Sequence, residues 1–300
     1  MKVLISGATG LVGQAIVKEL HKKNKSVNYL TTSKDKIVST ANYKGFYWNP
    51  SKKEIDLNCF EGVSIVINLA GASISKRWTS AYKAEVLNSR IDSLKTLNEG
   101  IKIYGADTIT SFVSASAIGI YPNSIESFYS EEETKIDDSF LGSVVSAWEK
   151  EIDTFKKFHF NVATIRIGLV FSEDGGALPK MVKPIKKYVG AAFGSGMQWQ
   201  SWIHINDLAR LFVFASSHQL NGIFNGVAPN PVNNSKLTKV LAKKLQKPIF
   251  MPNIPSFIMK MLLGEMAYLL YASQRVSSKK IETVGFKFRF ATICKALESF

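Results

Sequence analysis

The chain begins MKVLISGATGLVG, where a short apolar run ends in three glycines spaced three apart, Gly7, Gly10 and Gly13. Few folds accept a strand that stops at such a run and restarts as a helix. Val3, Leu4 and Ile5 supply the strand and LVGQAIVKELHKK the helix. The three glycines act differently, in that Gly7 permits a tight turn, Gly10 lets backbone approach a pyrophosphate, and Gly13 lets the helix pack on the strand. The helix N-terminus offers free N–H groups and partial positive charge, so Thr9, Gly10, Leu11 and Val12 are expected to meet phosphates.

Apolar runs alternate with helical patterns over the first 170 residues, the order a doubly wound parallel sheet requires. Strands are expected at 2–6, 26–32, 44–48, 63–69, 110–115 and 162–170, and helices at about 10–23, 79–104 and 143–158, with Thr79 as an N-cap. After Val170 the texture changes to loops rich in Gly, Pro and Trp between short helices. The expected architecture is α/β, a Rossmann-type doubly wound parallel sheet with a smaller mixed C-terminal substrate lobe. Residues 1–175, with about 204–230 returning to them, would form the dinucleotide-binding domain, and 176–203 with 231–300 the smaller lobe.

Composition narrows the setting. The two cysteines, Cys59 and Cys294, have neither disulfide-framework nor metal-ligand spacing, and no basic, apolar and cleavage-site leader precedes the first strand. A cytoplasmic protein without a bound metal is expected. Of the formal +14 charge, almost all lies in residues 178–300, which hold 17 Lys+Arg against 4 Asp+Glu. That lobe either draws an anionic substrate toward the cleft or is simply a solvated basic surface. No nucleic-acid-binding motif accompanies the charge, so no nucleic-acid partner is expected. The apolar stretch 257–272, FIMKMLLGEMAYLLYA, is too short to span a bilayer and reads as a helix docked on the core.

With these motifs in order, the chain resembles an extended short-chain dehydrogenase/reductase. The residues that carry the likeness are GATGLVG, NLAG at 68–71, SASA at 114–117 and WIHINDLA at 202–209. More narrowly, NLAGASISKRW, NSR at 88–90, RIGLVFSEDGGALPKM, FGSGMQWQSWIHI and GEMAYLLYASQRV with GFKF are similar to the atypical, YfcH-like epimerase-family branch, which belongs to the NAD-dependent epimerase/dehydratase superfamily.

The resemblance implies a nicotinamide dinucleotide. The second strand ends in Thr31, Thr32, Ser33 and Lys34, where an NAD site would place a carboxylate, so NADP is expected over NAD. Leu69, Ala70 and Gly71 are expected to offer backbone contacts, and Glu85, Arg90, Ser114 and Leu169 to adjoin the cofactor. Members of this family use a Tyr-x-x-x-Lys pair after the fifth strand, assisted by a serine. Ser116 matches the serine, but Leu141 and Val145 stand at the Tyr and Lys positions, with Glu149 four residues on. Neither replacement can transfer a proton. Gln200 and Leu169 replace an Arg and an Asn of the sugar-nucleotide pattern, which weakens an epimerase reading.

Ser116 and Tyr121 are therefore the remaining candidate acids, Tyr121 either in the cleft or packed beneath a loop. Lys76, Arg77 and Trp78 suit an anionic, planar or apolar substrate, or form a solvated loop. Trp202 and His204 are substrate contacts or structural anchors. Two functions fit: an NADP(H)-dependent oxidoreductase or epimerase-like enzyme on a small substrate, or a non-catalytic NADP(H)-binding sensor or partner-binding protein. These patterns do not encode an oligomeric state.

Overall fold

The computed structural model describes all 300 residues. Val3, Leu4 and Ile5 are fully buried, as a central parallel strand covered on both faces requires. That strand, β1 (Lys2–Ser6), leads into α1 (Leu11–Lys22), and β2 (Ser26–Thr31), β3 (Tyr43–Asn49) and β4 (Val63–Asn68) follow. Next come α2 (Ser80–Tyr104), β5 (Ser111–Ala117), α3 (Phe140–Asp153) and β6 (Asn161–Ile167). The remaining elements used below are α4 (Leu178–Lys186), α5 (Ile205–Ser217), β7 (Gly222–Gly226) and α6 (Asn234–Lys244).

The seven strands pair in parallel in the order β7-β6-β5-β4-β1-β2-β3, with antiparallel additions at the β3 edge. The strand order reverses between β1 and β4, the crevice in which such sheets bind ligands. The fold is the Rossmann-type one that the alternating pattern predicts. Forty-one buried residues from both faces form the main core. A second cluster of 12, including Phe171, Leu178, Trp202, Leu241 and Leu297, holds the C-terminal elements together.

Three boundaries differ from expectation for local reasons. The predicted strand 162–170 stops at Ile167, because at Gly168 a Cβ would lie 2.4 Å from the Ser201 carbonyl oxygen. Close passage of the two backbones turns the chain there. Leu169–Phe171 then pairs with Trp202–His204 in a separate ribbon. The helix expected at 143–158 begins at Phe140, because the Ser139 side chain accepts from the Gly142 N–H, and it gives way to a 3₁₀ turn after Asp153. Thr79 caps α2 as predicted, accepting from Tyr82 N–H. The apolar stretch near the C-terminus is not one docked helix: Ser256–Leu263 ends at Gly264, whose φ is +60°, and two short turns follow. Phe257, Met261 and Leu262 on that first piece are exposed. No helix is long and apolar enough to cross a membrane.

Candidate active site

The glycine turn sits at the C-terminal end of β1. Gly7 has φ +76°, and a Cβ on it would lie 3.0 Å from the Leu69 carbonyl carbon. A side chain would push apart the two turns that close the crevice. At Gly13 a Cβ would fall 2.2 Å from the Gly7 oxygen and 2.6 Å from the Ala8 Cα, so the first turn of α1 nests against the loop only without one. Gly10 differs: its Cβ would meet only the Gly7 oxygen, at 3.3 Å, and the residue is exposed. The N–H groups of Leu11, Val12 and Gly13 donate to no protein acceptor, and the first turn of α1 carries no acidic residue. An open glycine face beside unpaired donors at the positive end of a helix fits a pyrophosphate.

At the tip of β2, Thr31 is buried, and its hydroxyl accepts from Ser33 N–H at 3.2 Å. Thr31 thus closes the turn, and its side chain lies beneath the exposed tip at which the cofactor contact was expected. Thr32 and Lys34 are exposed, Ser33 half-exposed, and the Lys34 ammonium lies 5.1 Å from the Tyr47 ring centroid. Two hydroxyls and a cation are therefore what the tip presents before Asp35.

A buried hydrogen-bond chain that sequence reasoning missed ties three strand ends together. The Ser6 hydroxyl donates to Asn68 Oδ1 at 2.6 Å and accepts from Leu69 and Ala70 N–H, while Asn68 Nδ2 donates to Ser114 Oγ at 3.1 Å. Ser114 is fully buried and joins β4 to β5, so it positions the cleft floor and does not line it. The N–H groups of Leu69 and Ala70 are held by Ser6, and Gly71 is exposed.

Arg90 on α2 packs against Gly71, where an added Cβ would lie 3.1 Å from Cζ, and stacks 4.9 Å from the Trp148 ring centroid. Its Nη1 donates to the Ala72 and Val86 carbonyls, and no carboxylate pairs with it. Burial lowers its pKa to about 10, opposed by Tyr82. Glu85 is exposed on the same helix and forms no ion pair.

The Ser116 hydroxyl donates to Glu149 Oε1 at 2.6 Å. Arg166 grips the same carboxylate through Nε at 2.8 Å and Nη2 at 2.7 Å, with both side chains nearly buried. Arg166 holds the carboxylate in place through two hydrogen bonds, and the Ser116 proton points at its Oε1. Ser116 is itself only 2% exposed, and with its proton on Glu149 it is not poised to donate one into the cleft.

Tyr121 is corrected more strongly. It is fully buried, its hydroxyl donates to Asn225 Oδ1 at 2.7 Å and accepts from Arg166 Nη1 at 3.0 Å, and burial raises its pKa against the pull of Arg166. It is the packed tyrosine, not the acid. Leu141 is half-buried near Gly119, and Val145 is buried, so the helix wall where Tyr and Lys stand in the family is apolar.

The predicted substrate residues divide. Lys76 and Arg77 are exposed on the loop after the NLAG turn. Trp78 is buried with Tyr82, Val86 and Val144, and its indole N–H donates to the Ile74 carbonyl. From the C-terminal lobe, Met266, Tyr268 and Leu269 pack against that cluster, Tyr268 donates to Asp137, and Glu265 pairs with Lys83. These contacts tie the C-terminal segment to α2 and to the loop before α3.

Trp202 is fully buried, stacked on Phe171 and bonded to the Asn230 carbonyl, and is a core anchor of the lobe. His204 is 2% exposed; its Nδ1 accepts from Asn206 N–H as the N-cap of α5, its Nε2 meets Ser299 Oγ, and its ring stacks on Phe290 and Phe300. Both are buried among residues of the lobe, against the expectation of substrate contacts. Leu169 is half-buried, opposite Trp202 in the short ribbon.

Burial lowers the His204 pKa to about 4, opposed by Asp207. Because the folded value lies below the unfolded value of about 6.5, this site's stability is complete above pH 6.5 and is lost as pH falls toward 4. Urea unfolding of wild type and His204→Asn at pH 7.5 and 5.0 checks the sign. Wild type should lose more stability on acidification than the variant; an equal loss would contradict a neutral buried imidazole.

The fold and the glycine turn define a dinucleotide-binding α/β protein with an added C-terminal lobe. A family model described as the NAD dependent epimerase/dehydratase family matches residues 3–226, and one described as a domain of unknown function, DUF1731, matches 254–300. The chain belongs to the NAD dependent epimerase/dehydratase family. An epimerase family protein of Staphylococcus aureus is 35% identical over 300 residues, covering 98% of this chain and 97% of that one. One from Staphylococcus epidermidis is 36% identical over 302 residues, covering 99% and 98%.

Among solved structures, the human epimerase family protein SDR39U1 with NADPH superposes with TM-score 0.87 at 24% identity, covering all of this chain and 98% of that one. A nucleoside-diphosphate sugar epimerase of Corynebacterium glutamicum gives 0.78 at 28% identity, covering 99% of this chain and 57% of that one. Family and fold together support a nicotinamide cofactor and an oxidoreductase-like or epimerase-like chemistry.

Proposed function

We propose that this chain is an NADP(H)-dependent oxidoreductase for a small anionic carbonyl or alcohol substrate, in which the protein supplies position and charge but not the proton. The observation that carries this reading is the exposed Gly10 face beside the unpaired N–H groups of Leu11, Val12 and Gly13. When bound, the nicotinamide supplies or takes a hydride at the substrate carbon.

Thr32, Ser33 and Lys34 suit a 2′-phosphate, whose charge a lysine and hydroxyl donors can satisfy. Lys76 and Arg77 are exposed on the loop that follows the NLAG turn, and Arg90 packs on that turn without a carboxylate partner. That balance supports an anionic substrate. Ser116, nearly buried and with its proton held by Glu149, acts as a positioning residue and not as the acid. The proton for a carbonyl oxygen then comes from water, and apolar Leu141 and Val145 exclude the usual donor.

Oxidation of NADPH is to be followed against a panel of 2-oxo acids and aldehydes, with Ser116→Ala as the discriminating variant. A positioning serine should cost less than about tenfold in rate, whereas a general acid costs about 10²–10⁴-fold. A loss in the larger range would overturn the assignment of the proton to water. Tight NADPH binding with no turnover of any compound would instead favour a non-catalytic cofactor-binding protein, the reading that Leu141 and Val145 also support.

We place Arg90, packed on Gly71 at the end of the NLAG turn, against the nicotinamide half of the cofactor, and this placement has its own test. Loss of a charge-assisted hydrogen bond of about 1.5–3 kcal/mol should weaken NADPH binding by tenfold or more in Arg90→Met. Affinity for adenosine 2′,5′-bisphosphate, which lacks the nicotinamide half, should be unchanged. Equal losses for both ligands, measured by calorimetry, would place Arg90 away from the nicotinamide end.

A further inference from the structure

A cavity of about 680 Å³ opens in the C-terminal lobe between α4, α6 and the helix Ile293–Glu298. None of its lining residues belongs to the glycine turn, the NLAG turn or the Ser116 network. Its volume is within the range of about 300–1,000 Å³ typical of small-molecule sites. Leu178, Leu241 and Leu297, all nearly buried, form the apolar floor, and half-buried Val182 extends it along α4.

The rim is predominantly cationic. α4 contributes Lys183 and Lys186, Lys187 follows at its end, α6 adds Lys244, and Glu173 is the one acidic side chain on the lining. None of the four lysines takes part in any of the chain's six side-chain ion pairs. Four ammonium groups around one opening repel each other, and an anion that sits among them relieves that repulsion. A hydrocarbon tail in the same ligand would cover the leucines below. The pattern along the chain, apolar at 178 and 182 and cationic at 183, 186 and 187, follows the helical period and divides α4 between floor and rim.

We infer that this cavity binds the free anion of a medium-chain fatty acid, its tail on Leu178, Val182, Leu241 and Leu297 and its carboxylate among Lys183, Lys186, Lys187 and Lys244. A concave floor of buried leucines suits a single flexible chain better than the broad face of a partner helix, and the lysine rim demands a charged head. This site is separate from the dinucleotide crevice and does not depend on the reading of the reaction there.

Calorimetric titration of the full chain with decanoate, octanoate and decanol, with and without saturating NADPH, tests it. One decanoate should bind per chain, unaffected by NADPH. Each methylene that reaches the floor contributes about fourfold in affinity, so octanoate should bind roughly an order of magnitude more weakly. Decanol, without the charge, should lose tenfold or more. Lys183→Glu/Lys186→Glu changes only side chains on the rim and should abolish binding, and Val182→Trp should reduce it by filling the floor, both with an unchanged urea midpoint.

Decanol binding as tightly as decanoate would overturn the inference, as would wild-type affinity in the charge-reversed variant. Absence of saturable binding would do the same and would direct attention to an acidic peptide as the rim's partner. Loss of decanoate binding on saturation with NADPH would place the fatty acid in the crevice instead, against this assignment.

Discussion

Gly10→Ala should leave the fold intact and abolish dinucleotide binding, whereas Gly13→Ala should destabilise the protein itself. The contrast follows from what each new methyl group meets. At Gly13 the Cβ would lie 2.2 Å from the Gly7 oxygen and 2.6 Å from the Ala8 Cα, both backbone atoms that cannot swing aside. Relief requires moving α1 off the turn, and overpacking of this kind costs about 1–3 kcal/mol or more. At Gly10 the Cβ would meet only one oxygen at 3.3 Å, and the backbone, at φ −81°, already suits an L-residue. The same methyl group would occupy the face on which a pyrophosphate must approach. Urea unfolding paired with cofactor titration distinguishes the two effects. A Gly10→Ala protein that binds NADPH like wild type would remove the glycine turn from the site.

Arg166→Met should cost about 3–5 kcal/mol of stability, because it leaves the Glu149 carboxylate nearly buried without its bidentate partner. The side chains of the pair are only 6% and 13% exposed, and Arg166 also donates to the Tyr121 hydroxyl, which in turn holds Asn225 on β7. The change therefore loosens β5, β6, β7 and α3 together. Arg166→Met/Glu149→Gln should recover much of the loss, since a neutral amide no longer demands a cation. If the double variant were as unstable as the single one, packing of the arginine stem, and not the stranded charge, would be the cause.

Parts of this molecule were legible in the sequence wherever the signal was local. The turn at Gly7, Gly10 and Gly13, the apolar run of β1 and the Thr79 cap are each written in a few consecutive residues. The apolar helix wall was equally legible, because Leu141 and Val145 lack any group that could transfer a proton. What was not legible was the direction in which a polar or aromatic side chain points. Tyr121 is buried because Asn225, 104 residues away, accepts its hydrogen bond, and His204 because Ser299, Phe290 and Phe300 enclose it.

The Ser6–Asn68–Ser114 chain joins positions 62 and 46 residues apart and leaves no periodic trace. The strand β7, GIFNG, holds two glycines and a polar residue, and it is a strand because it completes the β6 edge, not because of its own propensity. Ser116 was found as a residue but not as a role. Only the approach of Glu149 and Arg166 shows where its proton lies.

We propose that the crevice at Gly10 holds NADP(H) through Thr32, Ser33 and Lys34. Fluorescence titration of the wild-type chain with NADPH and with NADH measures it most directly. Saturable binding of both, with NADPH tighter on the order of tenfold or more because of its charge-assisted phosphate contacts, is the predicted result. NADH binding as tightly as NADPH, or no saturable binding of either, would contradict it.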